Sequence, residues 1–286
     1  MIPEISEFSY GFALTNELVG WTALSTAPVF PSLIEEGRRG GGYDVKLDLP
    51  GVPLYLQFKR ADYMKRRNVV EIRDHGLPLN TPFYRFPITQ RSKSFQHTSL
   101  IELDAGTNLV FYVAPRFHLV SQIDNAWQAR NVASRSIFVA PSTIGLIHDD
   151  NSHHVSYDAT QTYFCSKPKK ITSLSAIELH NKIQERLMMD RRPVRKQLPR
   201  WLGSIRDARI RARETQSKLE MQRKASSTKV GQLQAELFDI RKEISIAEPA
   251  IRAARTLSHE NGMLRAISDA ALYGFDTQFF VVQPKQ

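Results

Sequence analysis

The stretch LYLQFKR, residues 54–60, sets an amide and an ammonium two positions apart, at Gln57 and Lys59. Leu54, Leu56 and Phe58 alternate with them, so a β-strand here would bury one face and present the polar pair on the other. Upstream, DVKLDL (44–49) alternates in the same way, with Val45, Leu47 and Leu49 opposite Asp44. The intervening PGVP is turn chemistry, so the two segments are expected to form a β-hairpin that brings Asp44 beside Gln57 and Lys59. A carboxylate and an amide oxygen are hard ligands suited to Mg2+. Such an ion activates water and neutralises charge developing on a phosphate. An adjacent lysine stabilises that charge directly or orients the attacking water. The chemistry implied is phosphodiester hydrolysis.

Asp44 with Gln57-Phe58-Lys59 resembles the PD-(D/E)XK nuclease signature, in the variant where Gln replaces the acidic residue of the second half-motif. LQFKR is most similar to the corresponding segment of Mrr-type restriction endonucleases. The resemblance covers residues 8–60 and continues at SFQHTSL (94–100), a polar helix with Gln96 and His97; Tyr43 stands where the signature often has proline. It implies a restriction-endonuclease-like α/β core with a mixed sheet flanked by helices. It also implies Asp44, Gln57 and Lys59 as catalytic residues and Asp44 and Gln57 as ligands of Mg2+ or Mn2+. A glutamate from the first helix often completes such a site, and Glu17 is the matching position, with Glu35 and Glu36 as rivals nearer in sequence. The implied activity is DNA hydrolysis, with restriction or anti-phage defence as its natural setting.

The elements that must position these groups divide the chain at residue 166. Residues 1–166 are expected to form the nuclease-like core, and 167–286 a basic, mainly helical region. SEFSYGFALTNELVGW suggests a helix capped by Ser6 or Ser9, with Phe8, Phe12, Leu18 and Trp21 available for burial. Strands are expected at 82–88, 108–115, 136–141 and 157–166, and helices over SFQHTSLIEL and SQIDNAWQARNV. SLSAIELHNKIQERLMM offers a face of Leu174, Ile177, Ile183 and Leu187. Val230, Leu233, Leu237, Ile240, Ile244 and Ala247 follow a 3-4 spacing, a short coiled-coil seam suited to a helical hairpin, a homodimer or a partner protein. The tail FDTQFFVVQP reads as a last strand returning to the first sheet.

Charge is concentrated as well. Residues 167–230 hold 18 Lys and Arg against 6 Asp and Glu, while the whole chain carries +10. Such a block attracts polyanions, DNA first and RNA not excluded. Arg191, Arg192, Arg195, Lys196, Arg200, Arg209, Arg211 and Arg213 are its expected phosphate contacts, with Arg38, Arg39 and Arg60 flanking the presumed site. Trp201 is its one aromatic, which argues against stacking on single strands. No long apolar run occurs, MIPEISEFSYGF has no basic stretch followed by an apolar one, and the single Cys165 forbids an internal disulfide; a cytoplasmic protein with no secretory signal and no membrane partner is expected. Cys165 itself suits a buried small hydrophobe. HDDNSHH (148–154) has metal-ligand types but no zinc-module spacing and reads as a solvated loop. Walker A, GxGxxG and GxSxG sequences do not occur. The alternative from another class is a non-catalytic nucleic-acid-binding or assembly subunit of a multi-protein complex on a degenerate nuclease fold.

Overall fold

A computed structural model describes residues 2–19, 45–105, 108–165, 168–226 and 260–284. Asp44, Arg38, Arg39, Glu35, Glu36, Trp21 and the 230–247 seam lie outside the described residues. The fold is mixed α/β, with two sheets flanked by helices.

The LYLQFKR segment forms β1 (Val52–Phe58), an inner strand. Its neighbours are β4 (Leu109–Pro115), parallel to it, and β9 (Gln278–Val282), antiparallel. β5 (Ser136–Val139) completes the four-stranded sheet in the order β5-β4-β1-β9. The returning tail strand is therefore present. The hairpin is not. Residues 45–49 form a turn, and β9 occupies the edge that a hairpin partner would have used. The turn is fixed by side-chain and helix-end bonds: Gln283 accepts from Lys46 N–H and donates to the Lys46 and Pro50 carbonyls. The Leu49 and Leu47 carbonyls accept from the N–H groups of Val194 and Arg195, at a helix start where such donors lack intrahelical partners.

Alternation sorts the sheet into two faces. Leu54, Leu56, Phe111, Val113 and Phe138 face α1 (Glu7–Val19) and α6 (Ala176–Met189), meeting Tyr10, Leu14, Leu179 and Ile183. Tyr55, Val110, Tyr112 and Val139 face α3 (Gln96–Asp104), α7 (Val194–Ser226) and α8 (Glu260–Phe275), meeting Leu100, Trp201, Ile205, Ile267 and Phe275. Helices from beyond residue 166 thus bury the core of the first part, and the boundary at 166 does not separate two cores. The second sheet runs β2-β3-β6-β7-β8, with β2 at Asp62–Met64, β3 at Phe83–Ile88, β6 at His153–Tyr157, β7 at Thr162–Phe164 and β8 at Lys169–Lys170. It joins the first through Phe86, Val155 and Tyr157. The expected strand 157–166 is split by a turn in which the Asp158 carboxylate accepts from the N–H groups of Thr160 and Gln161. Short helices α2 (Val70–Arg73), α4 (Val120–Gln128) and α5 (Pro141–Ile144) complete the order.

Two helix faces differ from expectation. Ser6 caps α1 through its hydroxyl, which accepts from Ser9 N–H. Yet Phe8 and Phe12 are exposed, while Tyr10, Gly11, Leu14 and Leu18 turn inward. Gly11 decides this, because Phe58 packs so closely that a Cβ there would lie 3.1 Å from its ring. On α6, Ile177 is exposed and Leu179 takes its place beside Ile183 and Leu187. Cys165 is buried, and no described helix is long and apolar enough to cross a membrane.

Candidate functional site

Gln57 and Lys59 end β1 on the Tyr55 face, as their spacing requires. Gln57 registers with Tyr112 on β4, and the Lys59 ammonium stands 5.6 Å above the Tyr112 ring. Lys59 is 8% exposed and makes no ion pair among the described residues. Burial holds its pKa below the ordinary lysine value, and the carboxylates of Glu7 and Asp276 work against that shift.

Asp276 comes from the far end of the chain. It follows α8 in the left-handed region (φ 51°), with its N–H still bonded to the Leu272 carbonyl and Thr277 N–H reaching the Ala271 carbonyl. Asp tolerates this conformation better than most residues, and such positions gather at functional sites. The antiparallel pairing of β9 with β1 brings the carboxylate to Gln57. Gln57 Nε2 donates to Asp276 Oδ2 at 3.2 Å, and Gln96 Nε2 donates to the same oxygen at 2.8 Å. This orientation leaves Gln57 Oε1 buried without a hydrogen-bond partner. Two clefts meet at Asp276. One, of about 180 Å³, lies between Phe8, Phe12, Phe58 and Leu272; the other, of about 410 Å³, lies between Lys93, Gln96 and Tyr273.

His97 forms the floor. Its Nε2 lies 2.9 Å from the Gly145 carbonyl, which only accepts, so Nε2 carries the proton. Nδ1 then accepts from the Tyr112 hydroxyl at 2.8 Å. Burial lowers the His97 pKa to about 4, with His153 and Lys59 adding to the shift, so the neutral ring holds Tyr112 beneath Lys59.

Glu17 is not part of this cluster. It lies on α1, across the sheet from Gln57 and Lys59, and its Oε2 accepts from the N–H groups of Val132 (2.6 Å) and Ala133 (3.2 Å). Its role is to tie the chain after α4 to α1. Of the expected phosphate contacts, Arg60 is exposed beside the site, its N–H donating to Glu7. Arg191 and Lys196 are exposed, Arg195 pairs with Asp48, Arg192 and Arg200 pair with Asp190, and Arg211 pairs with Glu102. Arg213 is half-buried. Arg209 is 7% exposed, too buried for a surface phosphate contact. His153, the first of the two histidines that close HDDNSHH, is buried against Phe164 and bonds to Asp149, so that segment is an ordered strand entry rather than a fully solvated loop.

Asp276 is the residue that sequence reading missed. FDTQFF shows an Asp ahead of a strand, but nothing local marks its partner. Gln57 turns its N–H to Asp276, so its orphaned, buried Oε1 is directed away from that carboxylate, and the two oxygens would face one Mg2+ only with the amide flipped. Among the described residues no group of three or more His, Cys, Asp or Glu side chains is gathered to hold a metal. Compared with known proteins, the chain matches no protein-family model, no curated protein and no solved structure.

Proposed function

We propose that this chain is a metal-dependent endonuclease that hydrolyses phosphodiester bonds of DNA on a restriction-endonuclease-like core. The observation that carries this reading is the convergence of an amide, a buried ammonium with no ion pair among the described residues, and a carboxylate at one end of β1. Asp276 and, with its amide flipped, Gln57 would hold Mg2+ or Mn2+. When bound, the ion would supply an activated water and neutralise charge on the phosphate. Lys59 acts on the same phosphate. Its ammonium is poorly solvated, so an arriving oxyanion meets a charge that water does not screen. Tyr112 and His97 keep that ammonium in place, and Gln96 holds the Asp276 carboxylate from the second side. Restriction or defence against phage is the setting proposed.

One observation favours a second reading. The Gln57 amide donates directly to Asp276, an arrangement that is also complete without an ion. A non-catalytic nucleic-acid-binding or assembly subunit could keep it. Plasmid nicking separates the two: the nuclease cuts with Mg2+, stops with chelator, and loses cutting but not DNA binding in Lys59→Met. Wild-type protein that binds DNA and never cuts it would leave the second reading standing.

A further inference from the structure

At the opposite end of β1, a cleft of about 760 Å³ opens between Gly51–Pro53, the end of α6 and the start of α7. Arg186, Arg191, Arg192 and Arg200 line it, against one carboxylate, Asp190. Asp190 does not neutralise the cleft so much as order it. Its two oxygens hold Arg192 through Nε (2.8 Å) and Nη2 (2.6 Å), and it also accepts from Arg200 Nη2 at 3.0 Å. Gln197, 1% exposed, braces the same pair by donating to the Arg192 carbonyl and accepting from Arg200 Nη2. Arg186 and Arg191 have no carboxylate partner among the described residues. The lining therefore carries a net +3 in a concave, partly fixed setting, and guanidinium forks match phosphate oxygens in pairs.

We propose that this cleft is a phosphate-binding site, separate from the Lys59 cluster, that takes a nucleotide phosphate of a nucleic-acid backbone. Val52 opens β1 and Lys59 follows its last residue, seven positions on, roughly 23 Å, or about seven base-pair steps along a duplex. A duplex running along β1 from its Lys59 end would be long enough to carry phosphates to the cleft. Binding here does not require cutting there, so the inference goes beyond the hydrolytic reading and does not depend on it.

The test uses the full chain and a labelled duplex of about 20 base pairs, titrated by fluorescence anisotropy from about 50 to 200 mM salt. ATP, titrated calorimetrically, is the free-nucleotide probe. Arg186→Ala/Arg191→Ala leaves the ion pairs of Asp190 intact, and a thermal melt checks its fold. Its duplex binding weakens, and its plot of log affinity against log salt becomes shallower by about 2, near one per lost phosphate contact. The matching double Lys variant keeps the slope. If ATP binds and only that binding is lost in the Ala variant, the phosphate site stands with a free nucleotide as its source. Duplex and ATP behaviour that is the same in wild type and the folded Ala variant overturns the proposal, as does a wild type that binds neither. Absent cleavage with the slope change present sinks only the hydrolytic reading.

Discussion

Acidification should loosen the fold through one residue, His97. The ring is buried and neutral, donating from Nε2 to the Gly145 carbonyl and accepting at Nδ1 from Tyr112. Its pKa is about 4 in the fold against an ordinary 6.5, with burial the chief cause. Below pH 6.5 the unfolded chain takes up a proton that the folded chain refuses, so stability falls as pH falls. At about 1.4 kcal/mol per pH unit, the loss is about 2 kcal/mol by pH 5 and about 3 kcal/mol by pH 4. Protonation would also turn Nδ1 into a donor and reverse its bond with the Tyr112 hydroxyl, placing a second positive charge near Lys59. His97→Gln is the matched perturbation, since a glutamine amide can donate and accept without titrating. Urea midpoints at pH 7, 5.5, 5 and 4 for both proteins give the answer by difference, because all other titrating groups are shared. Wild type should lose about 2 kcal/mol more than the variant between pH 7 and pH 5. Parallel pH dependences would refute the assignment of a buried neutral His97.

Lys59→Met should raise the melting temperature while slowing cleavage by about 100-fold or more, because it removes a buried ammonium without an ion-pair partner among the described residues; a gain of about 1–3 kcal/mol is expected by calorimetry. Glu17→Ala should cost about 2–3 kcal/mol in urea unfolding, from two backbone N–H groups left without their acceptor, and leave the Mg2+ dependence of any cleavage unchanged. Gly51→Ala should destabilise by about 1–3 kcal/mol, since its Cβ would stand 2.7 Å from Val194 Cγ2 and 2.9 Å from Val281 Cγ1. A neutral result there would mean that the 45–51 turn does not pack against α7 and β9.

The strands were legible wherever alternation met a buried sheet. Leu54, Leu56 and Phe58 against Tyr55, Gln57 and Lys59 placed the polar pair on one face, and the structure keeps it there. What alternation does not name is the neighbouring strand. DVKLDL has the pattern of a hairpin arm, but its described part, residues 45–49, bonds to Gln283 and to the first turn of α7, while β9 pairs with β1 from more than 200 residues away. Asp276 was illegible for the same reason, because its meaning depends on where β9 returns. Helical periodicity likewise located α1 without choosing its inner face. That choice rests on a contact between Gly11 and Phe58 that no local pattern contains. Glu17 had the residue type and the helix of a metal ligand, and the sheet stands between it and Lys59.

The central claim is that two distant parts of the chain, β1 and the turn before β9, build one phosphodiester-cleaving site. Single-turnover cleavage by wild type, Lys59→Met, Asp276→Asn and the double variant tests it most directly, with Asn chosen because it keeps the left-handed backbone at 276. Each single change should slow cleavage by about 100-fold or more, and the double variant should be little slower than the worse single one, as residues acting as a unit require. A wild type that does not cut with Mg2+, an Asp276→Asn protein that cuts at full rate, or losses that simply multiply would contradict it.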